Sequence, residues 1–324
     1  MQHPHTLPVN DRFEVRINQF LPAKDNHLFN EQAYFRLHTS SPGDIYAQLA
    51  RRSDGEVHAT IACYEGDSRE YYSPKRGTYG GISAQRGLDL SVLERFLIAI
   101  TDYLRARGAT ILHIKDPPFS HDLQLSSIAA NILMRARATM SGFELNYDLE
   151  VDARPFHARI DAGSRKRIRK CKEAGFEAMQ IAPDAGRLVY ELIRANRMRR
   201  GVPITMSAAQ LDEMARTFPD RVHYFAVFTD ATRSSMVAAA VCISISAEVL
   251  YVFYWGDSDE MQSHSPVVLL AENIYGFAQK EGFRVLDAGI STSANEPNLG
   301  LIAFKRGLGF TESLKPTYMI PLQP

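Results

Sequence analysis

Residues 287–310 read DAGISTSANEPNLGLIAFKRGLGF. The segment FRVLDAGI, which ends just inside this stretch, has the length and apolar content of a buried strand. A loop of small and polar residues follows, and Asn298 opens the run PNLGLIAFKRGL, apolar at helical spacing. Gly309 stands where a helix would end in a left-handed turn. Phe310 then leads into a strand that carries Tyr318.

Working outward, the same order occurs twice. In the second half a strand ends Tyr254-Trp255-Gly256, an apolar helix follows, Glu281-Gly282-Phe283 leads into FRVLDAGI, and the last helix closes at Gly309. In the first half a strand-like piece ends Tyr79-Gly80-Gly81, a long apolar helix follows, and Arg107-Gly108-Ala109 leads into ATILHI. The helix SSIAANILMRARATM then closes at Gly142-Phe143, before a strand with Tyr147. Gly256 lies 175 residues after Gly81, Gly282 lies 174 after Gly108, and Gly309 lies 167 after Gly142. Three landmarks in one order at nearly constant offset indicate a tandem duplication. Each copy mixes strands with helices, so the expected class is α/β, in its α+β variant with a mixed sheet. The expected domains are residues 1–155 and 156–324. Ser91-x-x-Glu94 is a capping box, and Ser265-Pro266 places a cap and an N1 proline before VVLLAENIYGFA.

Composition excludes several classes. Hydrophobic residues are 45% and charged residues 23%, ordinary for a folded chain rather than a disordered or collagen-like one. Lys plus Arg and Asp plus Glu balance at 37 each, so an anionic partner must be held by a local cluster. Cys63, Cys171 and Cys242 are far apart and form no CxxC motif, which fits free thiols in a reducing compartment, and no secretory leader is visible. A cytoplasmic location is therefore expected. MVAAAVCISISAEVLYVFYWG at 236–256 has the length of a membrane span, but Ser244, Ser246 and Glu248 interrupt it, and a buried β-hairpin is expected instead. The ten histidines show no HxxxH or HExxH spacing, so no metal is expected.

The C-terminal run resembles the D-x-G-x-S…N-x-G-L-x-x-F-K-x-x-[FL]-G pattern of the Fem-type aminoacyl-transferase branch of the GNAT acyltransferases. That branch carries two GNAT units in tandem, so the likeness extends from about Phe13 to Pro324. The resemblance implies an acyl- or aminoacyl-transferase acting on an acceptor amine, with acyl-CoA or aminoacyl-tRNA as the donor. It also implies a catalytic role for Lys305. Ordinary GNAT enzymes place a tyrosine four residues before the glycine that closes the last helix, whereas here Lys305 precedes Gly309 by four. An ammonium at that point stabilises charge as the tetrahedral oxyanion or the leaving oxygen develops. We expect it at the mouth of a site. The first half offers Ala138 in the corresponding place, which makes the second half the active one.

The resemblance further suggests that Phe304 stacks on a nucleotide or shapes a donor channel, core packing being the alternative. Asn298, Ser291, Tyr254, Tyr79 and Gly80 complete the expected donor and acceptor contacts, with Asp287 and Asn298 also suited to orienting their turn. The CoA site is incomplete. The turn from Gly256 to Ser265 has no second glycine and no Arg or Lys, and it carries Asp257, Asp259 and Glu260, which repel a diphosphate. The first-half turn, Ser83-Ala-Gln85-Arg86-Gly87, comes closer. Bases concentrate elsewhere: SRKRIRKCK at 164–172 holds six, and 164–200 holds eleven Lys or Arg against four Asp or Glu. Arg165 and Arg169 there, with Arg197 in the group before Gly201, are expected to hold a phosphate-bearing small molecule or a tRNA donor. Two rivals remain open: an acyl-CoA-dependent N-acetyltransferase with a non-standard CoA site, and a catalytically silent module that binds a nucleotide or RNA end.

Overall fold

The computed structural model describes residues 4–24 and 26–323. The strands are β1 (His5–Pro8), β2 (Phe13–Ile17), β3 (Ile45–Arg51), β4 (Val57–Glu65), β5 (Glu70–Ser73), β6 (Ser83–Ala84), β7 (Ile111–Lys115) and β8 (Thr139–Glu150), then β9 (Glu177–Ile181), β10 (Val222–Phe228), β11 (Met236–Ser244), β12 (Val249–Asp257), β13 (Val285–Ile290), β14 (Thr292–Ser293), β15 (Glu296–Pro297) and β16 (Thr311–Pro321). The helices are α1 (Gln32–His38), α2 (Leu90–Ala106), α3 (Leu123–Arg135), α4 (Ala162–Glu173), α5 (Gly186–Arg199), α6 (Ala208–Thr217), α7 (Pro266–Lys280) and α8 (Leu299–Gly307). The fold is mixed α/β. MVAAAV…YWG forms the antiparallel hairpin β11–β12, and among the described residues no helix is long and apolar enough to cross a membrane.

Two compact units divide the chain. One runs up to Leu145 and takes back the stretch from Ser313 onward; the other is Asn146–Glu312. These limits differ from a cut at 155/156, because the last strand of each half of the sequence is counted with the other unit. In the first unit, β1 through β5 form an antiparallel series, β5 and β7 run parallel, and β16 adds to β7 antiparallel with Thr317 opposite Lys115. Leu93, Phe96, Leu97, Ile100 and Leu104 of α2 pack with Ile132 and Leu133 of α3 into that unit's core, together with Tyr318 and Ile320. In the second unit, β9 through β12 are antiparallel, β12 and β13 run parallel, and β8 adds to β13 antiparallel from Asn146. Alternation along β10 shows how that sheet is covered. Phe225 meets Phe277 of α7 at 5.2 Å, while Tyr224, on the opposite face, lies close against Gly186 of α5.

Two helix ends differ from expectation. α3 stops at Arg135, and its left-handed residue is Arg137 (φ 61), not Gly142, which lies within β8. The Ala138 N–H then returns to the Leu133 carbonyl at 3.0 Å, as the Phe310 N–H returns to the Lys305 carbonyl at 3.1 Å after Gly309 (φ 82). Leu133, not Ala138, is therefore the counterpart of Lys305, and the two lie 172 residues apart. The glycine preference of such turns made Gly142 the attractive choice, but here an arginine takes the strained position. At α2, Asp89 is the cap: its carboxylate accepts the Ser91 N–H at 2.7 Å, so the helix starts one residue before the Ser91-x-x-Glu94 box. α7 does begin at Pro266, although Ser265 makes no side-chain cap.

Candidate functional site

The site is built at the end of β13. Asp287 lies opposite Asp148 and Ile290 opposite Asn146, so two residues, Ala288 and Gly289, face the single residue Tyr147. This is a β-bulge, and it turns the strand at Gly289 (φ 74). The bulge aims two successive carbonyls at α8. Lys305 Nζ donates to the Gly289 carbonyl at 2.8 Å and to the Ile290 carbonyl at 2.9 Å, and it lies 5.4 Å from the centre of the Tyr147 ring. Two of the three ammonium N–H groups are thereby used. Burial pushes the Lys305 pKa down to about 7, against the pull of the Asp287 and Asp148 carboxylates.

Lys305 is not at an open mouth. It is 1% exposed, and with Ile302 it forms the buried face of α8. A lysine can be held there because the bulge supplies acceptors that a regular ladder would have used between strands. Asp287, wholly buried, stabilises the bulge: Oδ1 accepts the Gly289 N–H at 2.6 Å and the Asn146 Nδ2–H at 2.7 Å. Asn146 was not singled out in the sequence, and Tyr147 and Gly289 entered there only as a strand landmark and as part of the D-x-G pattern. Asn146 and Tyr147 lie far from Lys305 along the chain, and no local pattern joins them.

Ser291 follows directly; it is buried, and its Oγ has no hydrogen-bonding partner among the described residues. Asn298 caps α8 by accepting the Leu301 N–H at 3.0 Å, which is the turn-orienting role. Phe304 is half-buried and meets Trp255 edge-on at 5.7 Å. β12 has its own bulge at Phe253, and its pairing with β13 ends at Tyr251–Asp287, so the two parallel strands part just before the Lys305 carbonyls. Tyr254, beyond the parting, is buried; its hydroxyl meets Thr205 Oγ1 at 2.7 Å and accepts the Met206 N–H at 3.2 Å. The Arg197 guanidinium lies 5.1 Å over the Tyr254 ring and donates to the Pro203 carbonyl. Tyr254 and Arg197 thus come together and pin the segment before α6.

Tyr79 and Gly80 belong to the first unit and serve its packing. Tyr79 is fully buried among Phe29, His27 and His121, and a Cβ on Gly80 would come within 2.7 Å of the Ser73–Pro74 backbone. Close packing leaves no room for a side chain at position 80. On α4, Ile168 and Cys171 form the buried face. Its bases are largely committed: Arg165 donates to the Ile160 carbonyl, Arg169 faces Glu173, Lys170 donates to the Ser263 carbonyl and Lys172 pairs with Glu272.

The turn after β12 also has partners that its own sequence lacks. Arg199 and Arg200 of the α5 C-terminus pair with Asp257, and Arg199 also pairs with Asp259. Four of its amides are taken: Ser258 donates to the Val237 carbonyl of β11, Gln262, His264 and Ser265 donate to carbonyls within the turn, and Pro266 has no N–H to offer. A diphosphate cradle at this helix start would need those amides.

The sequence matches no family model and no curated protein. Its fold has solved counterparts. The crystal structure of FemX superposes with a TM-score of 0.67 at 13% identity, covering 92% of this chain and 93% of that one. The chain has a FemX-like fold. A conserved protein of unknown function from Bacteroides thetaiotaomicron follows at TM-score 0.57, 10% identity and 94% coverage of each chain. L-PGS from Bacillus licheniformis follows at 0.53, with 11% identity, 82% of this chain and 81% of that one.

Proposed function

We propose that this Fem-like chain transfers an acyl group from an activated oxygen ester to an acceptor amine, with an aminoacyl-tRNA as the donor class. The observation that carries the reading is a buried lysine, held by two backbone carbonyls at the point where β12 and β13 part. The donor ester would enter at that parting. The amine attacks the ester carbonyl, a C–N bond forms and the C–O bond to the leaving group breaks. The attacking nitrogen gives up a proton and the leaving oxygen takes one. The third N–H of Lys305 is suited to donating to that oxygen, and a group with a pKa of about 7 gives and regains a proton readily near neutrality. Positioning supplies the larger share of acceleration, up to about 7–11 kcal/mol for ideal geometry.

The amides already taken at the start of α7 argue against a CoA diphosphate in this unit, although Arg199 and Arg200 answer two of the turn's carboxylates. The test offers the purified chain labelled aminoacyl-tRNA or labelled acetyl-CoA with a panel of amine acceptors, UDP-sugar peptides included. The expected result is transfer from the aminoacyl ester alone, lost in Lys305→Met. Transfer from acetyl-CoA would promote the CoA-dependent reading, and binding of tRNA without transfer would promote the silent module.

A further inference from the structure

We propose that the β13 bulge is a positioning device for Lys305, in which Asp287 and Asn146 are positioning residues that keep the Gly289 and Ile290 carbonyls on Nζ. The inference rests on the catalytic reading of Lys305 but is tested apart from it. At the bulge the Gly289 N–H has left the ladder, and a buried amide in that state must find another acceptor. Asp287 Oδ1 is that acceptor, at 2.6 Å. The same oxygen takes an N–H from Asn146 Nδ2, which also donates to Asp148 Oδ1 at 3.0 Å. The three side chains are at most 5% exposed. Gly289 itself is confined: its φ is +74, and an added Cβ would lie 3.3 Å from the Tyr251 hydroxyl.

The order of dependence runs one way. Asn146 orients Asp287, Asp287 sets the Gly289 turn, and the turn presents two carbonyls that Lys305 reaches from α8. An apolar side chain at 305 would itself need no acceptors, but it would leave the Gly289 and Ile290 carbonyls without the donor they now have. A buried carboxylate, amide and ammonium together are costly, and they make sense where an amine must be kept at one place. Asp287 faces Lys305 from β13. Asp148 and Tyr147 face it from β8, and the Tyr147 hydroxyl donates to Glu312, which also pairs with Arg306.

The experiment follows the ε-CH₂ signal of Lys305 by NMR in protein labelled at lysine Cε, assigned by its loss in Lys305→Met. The aromatic face of Tyr147 gives this signal a distinctive ring shift, and its pH titration reports the amine. Asp287→Asn keeps an acceptor for Gly289 but removes the carboxylate charge, so the ring shift should persist while the midpoint falls by about one unit or more. Asn146→Ser and Asp287→Ala release the turn, so the ring shift itself should collapse. If Asp287→Ala does not fold, Asp287→Asn and Asn146→Ser carry the test. An unmoved shift and midpoint in those two folded variants overturns the positioning role. Undiminished transfer by Lys305→Met overturns the catalytic reading instead and leaves the NMR result standing.

Discussion

Replacing Lys305 with methionine keeps the length of the side chain and removes its amine. The structure predicts a stability difference that depends on pH with a definite sign. Lys305 is held near 7 in the folded protein, against 10.5 when unperturbed. Between those values the unfolded chain keeps a proton that the folded chain has released, so native stability from this group rises with pH and is lost as pH falls toward 7. The slope is about 1.4 kcal/mol per pH unit, hence roughly 3 kcal/mol from pH 7 to 9. Methionine has no such term, but it leaves the Gly289 and Ile290 carbonyls without their donor, at about 1–3 kcal/mol each. Near pH 7 the two effects oppose each other. At pH 9 the variant should be clearly the weaker protein. Trp255, the one tryptophan of the sequence, lies in this unit against Phe304 and reports its unfolding by fluorescence. Urea titrations of both proteins at pH 6.5, 7.5, 8.5 and 9 give the comparison. Parallel stability curves would show that the lysine is not desolvated and would refute the argument.

Four further outcomes are expected. Lys305→Ala should lower kcat by roughly 10²–10³ once a donor is in hand, with KM moving less. Contrary to what an exposed lysine would allow, it should also lower the melting temperature, measurable by calorimetry. If the charged amine is the working form, kcat of the native protein should decline above about pH 7, whereas a flat profile to pH 9 would point to the neutral amine. Isothermal titration should find acetyl-CoA binding weaker than micromolar, and tight binding would overturn the reading of the β12–α7 turn. Reversing Lys166 and Arg167, exposed on α4, to glutamate should weaken tRNA binding and flatten its salt dependence; an unchanged affinity would leave α4 a solvated face.

Much of the fold was legible because its signals are local. Apolar spacing marked α2, α7 and α8, the β-branched and aromatic runs marked β11 and β12, and Asn298 and Pro266 marked helix starts. Gly309 was legible as a helix end, and Lys305 stood out because the run 287–310 resembles the Fem-type pattern. Where the local signal was ambiguous, the reading slipped. A glycine at 142 suggested a helix end that Arg137 provides, and this displaced the counterpart of Lys305 by five residues, from Leu133 to Ala138.

The surroundings of Lys305 were of another kind. The sequence alone determined that a lysine stands four residues before the closing glycine of the last helix, that Asp287 and Gly289 lie at the end of a strand, and that bases cluster at 164–172. Tertiary structure decided that this lysine is buried, that a bulge turns two carbonyls toward it, and that Asn146 and Tyr147 come from the other half of the sequence to complete its surroundings. It likewise decided that the bases of α4 are mostly paired, and that Arg199 and Arg200 answer the acidic turn. The physical reason is that desolvation and hydrogen bonding depend on which groups meet in space. Pairing across a sheet brings together residues more than a hundred positions apart, and no periodicity or spacing along the chain encodes which atoms will face them.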